Sequence, residues 1–149
     1  MFVRSSHPRI AQVMGGALLT GVLVGAGTTA FAGQALSQTG YYTIAGHQYA
    51  TIAAINTSPN NAYAVTVNQW SSGGTLAGWA GARARLFTES GSMACESANT
   101  YNSTTGGVAN PMSCFRITSG SWYSYGVALG WNGSGYSPFY TFRSPNQNS

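Results

Sequence analysis

Lysine and aspartate are absent from this chain, and its 149 residues hold only two glutamates, two histidines and two cysteines. Each shortage excludes a class of chemistry. A nucleic-acid surface wants clustered Lys and Arg to neutralise phosphates, so nucleic acid is not an expected partner. A Ser-His-Asp triad lacks its aspartate, and no G-x-S-x-G elbow is present. A zinc site needs three or four His, Cys or carboxylate ligands, which His47 and a bonded cysteine pair cannot supply. The Gly-rich "SSGG" and "TTGG" lack the lysine and the strand–helix context of a phosphate loop. Glu89 and Glu96 make a poor glycosidase pair. One falls on a turn, and the other lies near arginines that keep it ionised. The expectation is a protein that is not an enzyme, with no catalytic residue, no metal and no cofactor.

Residues 1–32 read as a secretory signal. "MFVRSSHPR" is basic, "IAQVMGGALLTGVLVGAG" is apolar or small, and "AFA" supplies Ala30 and Ala32 for cleavage before Gly33. The apolar run is long enough for a retained anchor, but it is Gly-rich and no basic cluster follows it. The chain is therefore expected to be secreted and extracellular, without a membrane span after cleavage. Removing 32 residues leaves 117, enough for one small domain. That part carries Arg83, Arg85, Arg116 and Arg143 against Glu89 and Glu96, a formal charge of +2. Two cysteines in an exported chain predict a Cys95–Cys114 disulfide, which stabilises a small domain by about 3 kcal/mol.

What is plentiful is Gly, Ser, Thr, Asn and Tyr in a pattern of period 2, with no helical stretch. "GQALSQTG" (33–40) is expected to be a mobile arm, and residues 41–149 a single β domain. "YYTIAGHQYATIAAIN" predicts one long strand or two around Gly46. "AYAVTVNQW" sets Tyr63, Val65 and Val67 against Ala64, Thr66 and Asn68. In "LAGWAGARARLFT", Ala80, Ala82, Ala84 and Leu86 fall on a packing face, and Trp79, Arg83, Arg85 and Phe87 on a wet one. "ESGS" is a hairpin turn that brings Glu96 toward an arginine. "SWYSYGVALGW" puts Tyr123, Tyr125, Val127 and Leu129 on one face, "NGSG" signals a type I′ turn, and Pro138 marks an edge strand or a bulge. "PNQNS" reads as a polar tail. The fold class is all-β, a small antiparallel sandwich or barrel of about six to seven strands.

Aromatic residues are common and often sit beside Gly, Ser or Asn, a composition suited to recognition. With few Leu and Ile, about two-thirds of these rings are expected to build the core. The remainder would form a binding surface, and the candidates are Trp79, Arg83, Arg85, Phe87, Trp131 and Tyr136. "GWAGARARLFTESGS…C" with "SYGVALGWNGSGYSPFYTFRSPN" resembles a group of short secreted β-proteins of Gram-positive, high-GC soil bacteria. Some small exported β-proteins of such bacteria look like adaptor subunits of umbrella-shaped antibacterial toxin particles. The resemblance implies secretion and a β fold, and carries no site residue by residue. The reading is a secreted, non-enzymatic binding or adaptor module that engages an extracellular or cell-surface protein. A carbohydrate-binding module for cell-wall or environmental glycan is the alternative, a bacteriocin-like antagonist the third, and a hydrolase the last.

Overall fold

The computed structural model describes residues 33–71 and 74–149, and only the backbone of residues 112–114. The expected signal, residues 1–32, lies outside the described residues. Thirteen strands and no helix occur among the described residues, and every strand pair is antiparallel. The expected all-β sandwich is the architecture found.

The first sheet is built on β3 (His47–Ser58), ten of whose twelve residues pair along one edge with β4 (Asn61–Trp70). Its other edge is shared: β2 (Gly40–Ile44) covers the first half and β1 (Gly33–Leu36) the second. β9 (Met112–Arg116) joins β4 on the far side. The stretch 41–56 is thus two strands, turned at Ala45 and Gly46 with φ of 50° and 80°. Two positive φ angles are what a two-residue hairpin needs to match the strand twist.

Within the segment 33–40, expected as an arm, residues 33–36 form β1 and Gly40 begins β2. Gln34 Nε2 donates to Asn56 Oδ1 at 2.9 Å, Ala35 is buried, and the Ala53 N–H donates to Ser37 Oγ at 2.9 Å. Four residues are too few to show a period of 2, and the edge of β3 that they fill is a tertiary feature.

The second layer reads as two four-stranded sheets but behaves as one kinked sheet. β5 (Ala80–Arg83) and β6 (Arg85–Thr88) are separated only by Ala84. β10 (Ser121–Ser124) and β11 (Val127–Trp131) are separated only by Tyr125 and Gly126. The pairing register of β10 with β6 continues unchanged into β11 with β5. On one side lie β7 (Met93–Glu96) and β8 (Thr100–Tyr101), and on the other β12 (Tyr136–Tyr140) and β13 (Gln147–Asn148). At the kink, side-chain hydroxyls replace ladder bonds. Ala84 N–H donates to Ser97 Oγ, Gly126 N–H to Thr141 Oγ1 and Ser124 N–H to Ser144 Oγ, each at 2.9 Å. Buried amides need such partners. These interruptions, the split of 41–56 into β2 and β3, and the unexpected β1 and β13 together account for thirteen strands where six to seven were expected. The C-terminal "PNQNS" also departs from expectation, because Gln147 and Asn148 pair with β10. The "NGSG" turn has a positive φ at Gly133 alone, so it is not a type I′ turn. Asn132 Oδ1 instead accepts from Ser134 N–H and Gly135 N–H at 3.0 and 2.9 Å.

The core is made of alanine more than of rings. Ala53, Ala62, Ala64, Ala80, Ala82, Ala84, Ala109 and Ala128 are fully buried, beside Tyr49, Ile55 and Leu86. Of the thirteen Tyr and Trp residues, Tyr42, Tyr49, Trp122 and Tyr123 are buried, whereas Tyr41, Tyr101, Tyr136 and Tyr140 are exposed. Small side chains let the layers approach closely. A Cβ on Gly126 would lie 1.9 Å from Thr66 Oγ1 in the facing sheet. Across this narrow gap the buried Asn68 on β4 donates through Nδ2 to the carbonyls of Gly81 (2.7 Å) and Leu129 (3.1 Å), and Oδ1 accepts from Tyr42 Oη (2.9 Å). Asn102 does similar work at the edge. It is 2 % exposed, accepts from Ala80 N–H and donates to Leu76 and Thr104 carbonyls, so its N-S-T sequon is closed to a glycan.

Asn68→Leu is expected to destabilise the domain by about 2–4 kcal/mol in urea denaturation, because two carbonyls and a hydroxyl lose their partner. Tyr42→Phe should cost much less in that background than alone, and equal costs in both would count against the network. Burial pushes the Tyr42 hydroxyl above its ordinary value, against the smaller opposing effect of the Asn68 hydrogen bond. The contribution of the protonated phenol is complete below about pH 10 and is lost as pH rises beyond it. Stability should fall in that alkaline range, with a shallower slope in Tyr42→Phe.

Candidate functional site

Alternation along the kinked sheet places Arg83, Arg85 and Phe87 on its outer face, opposite Ala82, Ala84 and Leu86 in the core, but Phe87 is not wet as expected: it is buried against Tyr123, Tyr125 and Arg85. The neighbouring strand sets Tyr123 beside Phe87 and Val127 beside Arg83, and Tyr125 lies between them at the kink. Phe87 stacks on Tyr123 with centroids 5.2 Å apart and rings 9° from parallel. Tyr125 stacks on Tyr140 at 5.7 Å and 9°. The Arg85 guanidinium lies 5.1, 5.8 and 5.9 Å from the ring centres of Phe87, Tyr125 and Tyr140. At the far end Arg143 sits 3.6 Å from the Tyr123 ring centre, with Nη2 donating to Asn146 Oδ1 at 2.6 Å. The result is one contiguous strip running from Arg143 through Tyr123, Phe87 and Arg85 to Arg83.

Glu96 closes the strip. The register puts it opposite Arg85, as the hairpin reading expects, and Oε1 lies 3.1 Å from Arg83 Nη1 and 3.5 Å from Arg85 Nε. One oxygen therefore serves two cations. At 3.5 Å the Arg85 contact is an ion pair without hydrogen-bond geometry, and the buried Nε atoms of both arginines have no hydrogen-bond partner. The side chains of Arg83 and Glu96 are each 33 % exposed and that of Arg85 only 19 %. Solvent screening limits the Arg83–Glu96 pair to about 0.2–1 kcal/mol. Arg85 adds ring contacts of about 0.5–1 kcal/mol and the packing of its stem.

The other expected residues lie elsewhere. Trp131 and Tyr136 face each other across the last hairpin with centroids 5.2 Å apart, and Tyr101 meets Tyr136 at 4.7 Å. Tyr101 covers Gly81, where a Cβ would come within 2.7 Å of its ring. Tyr136 Oη donates to the Gly78 carbonyl at 2.6 Å, and desolvation, then Tyr101, pushes that hydroxyl up. Trp79 belongs to neither group. Its ring meets the edge of His47 at 5.3 Å, and His47 stacks on Trp70 at 4.5 Å. The six candidates thus fall into three places. Tyr123, Tyr125, Tyr140 and Arg143 were missed as site residues. The shared alternation of Tyr123 and Tyr125 with the arginine strand was the available signal for the first two. Nothing in the sequence signals Arg143, which follows the last full strand.

The arrangement offers contact area more than reactivity. Glu89 lies at the turn of the β6–β7 hairpin and Glu96 at its open end, so the two carboxylates are set apart. Among the described residues no three His, Cys, Asp or Glu side chains gather as a metal site would require. A shallow groove beside Glu89 is lined by Thr88, Ser90, Ser119, Ser121 and Trp122, with no second titratable group.

Arg85→Ala should destabilise the domain by about 1–2 kcal/mol, a loss mostly independent of salt because ring packing carries it. Arg83→Ala should cost less than about 1 kcal/mol, and that cost should shrink as salt is raised. Thermal denaturation at low and high ionic strength separates the two, and equal salt sensitivity would contradict the assignment.

No family model matches this chain, and no curated protein or solved structure matches it either.

Proposed function

We propose that the protein is a secreted, non-enzymatic binding module that engages another extracellular or cell-surface protein through the outer face of the kinked sheet. The observation that carries this reading is the contiguous Arg83–Arg85–Phe87–Tyr123–Arg143 strip, in which two guanidiniums are held against rings. Arginine and tyrosine are enriched at interface centres because they offer large contact area. Here ring contacts already order Arg85 and Arg143, so less entropy is lost on binding. An adaptor role is one form of this reading.

Two features of the precursor belong to the same proposal. Gly33 pairs with Thr57, so cleavage before Gly33 keeps all of β1. A Cys95–Cys114 bond would tie β7 to β9, the edges of the two layers. The Arg116 guanidinium on β9 already donates to the Ala94 carbonyl on β7, which supports that pairing. The side chain of Cys114 lies outside the described residues. Alkylation of the secreted protein should add mass only after reduction, and labelling of both thiols without reductant would refute the bond.

A glycan reading has its own support at the other end of the sheet. There the Tyr101 and Tyr136 rings are 37 % and 38 % exposed beside Trp131. Affinity capture from culture fluid and washed cells separates the two. The protein reading expects a stoichiometric partner whose capture weakens about thirtyfold in Tyr140→Ala, an exposed hot-spot ring whose loss should leave the fold intact. Retention on insoluble polysaccharide that is lost in Trp131→Ala, with no protein partner, would replace it.

A further inference from the structure

The charge on the outer face is unbalanced, and this deepens the reading above, on which it rests. Beyond residue 32 the chain has four arginines and two glutamates. Arg116 is at the β7–β9 edge, donating to the Ala94 carbonyl, and Glu89 is at the β6–β7 turn. Arg83, Arg85 and Arg143 remain for the strip, against Glu96 alone. Its excess of two positive charges equals the net charge of that whole part of the chain. Glu96 uses one oxygen for both Arg83 and Arg85. Among the described residues Arg143 has a neutral amide as its hydrogen-bond partner and a ring beneath it. A guanidinium laid on a ring keeps the edge of its fork for a carboxylate, and the ordering of its side chain is complete before the ligand arrives.

Spacing narrows the class further. Arg83 and Phe87 are four residues apart on the same face, about 13 Å at the rise of a strand, and Tyr123 with Arg143 lies beside Phe87. The cationic ends are therefore separated by Arg85, laid against Phe87, Tyr125 and Tyr140, of which Tyr140 is exposed and Phe87 buried. An extended peptide presents alternate side chains to one side with the same repeat. We infer that the outer face takes an extended acidic peptide segment of the partner protein, with carboxylates toward Arg143 and Arg83 and an aromatic residue against the exposed Tyr140 and the Arg85 guanidinium between them.

The test is an NMR titration of the purified protein with Ac-Glu-Val-Tyr-Val-Glu-NH2 and with its Gln-for-Glu counterpart. The acidic peptide should shift signals of Arg143, Arg85 and Tyr140 and bind at least about tenfold more tightly at low salt, an advantage that shrinks as salt is raised. Arg143→Gln should bring its affinity close to that of the neutral peptide. Equal binding of both peptides on the strip would overturn the acidic class while leaving the contact surface standing. Shifts confined to other faces would also overturn it, as would tighter binding of polygalacturonate to the same residues. Capture of the native partner that survives Tyr140→Ala would instead remove the surface reading itself.

Discussion

The narrow gap between the two layers, bridged by the amide of Asn68, is the constraint on which the rest of the structure depends. An asparagine side chain is short. It reaches the Gly81 and Leu129 carbonyls of the opposite sheet only because alanines and glycines line that gap. A core of leucines would hold the sheets farther apart and leave the amide stranded, at the cost of an unsatisfied polar group. Gly126 meets the same demand from the other side, since any Cβ there would run into Thr66. Composition and geometry therefore agree. The chain has few large aliphatics because this sandwich has little room for them.

A thin core has a second consequence. The strands must bend to keep their inner faces in contact, and the kink at Ala84 and Gly126 results. Bending breaks the backbone ladder, and Ser97, Thr141 and Ser144 supply the missing acceptors. The many hydroxyl residues of this chain are in part ladder substitutes. The kink leaves the register intact, so one row of outward side chains runs the whole length of the sheet without changing sides. Aromatic rings line that row, with Phe87 and Tyr123 buried beside the arginines and Tyr140 exposed next to them.

A chain with so few charges makes each one informative. In a typical domain three arginines near one glutamate would be one patch among many. Here they are most of the charge that the domain carries, on a single face and in contact with aromatic rings. The aromatic excess and the charge shortage thus converge on the same surface.

Much of this was legible in the sequence. The period of 2 sorted Ala80, Ala82, Ala84 and Leu86 into the core and Arg83, Arg85 and Phe87 onto the other face, because in a strand that sorting is a local property of the backbone. Turn residues located the hairpins, and the Glu96–arginine pairing followed from the length of one of them. What lies beyond a single strand was decided by tertiary structure. Segment 33–36 became a strand because β3 is long enough to offer it an edge. The aromatic residues divided into three groups because the kink and the last hairpin aim them differently. Trp79 was drawn to His47 and away from the arginines four and six residues on. Arg143 joined the strip only because the chain after β12 folds back over Tyr123. Alternation in the sequence determines which side of a strand a residue faces. Which neighbours it meets there depends on how strands from distant parts of the chain are laid together, and no local pattern encodes that.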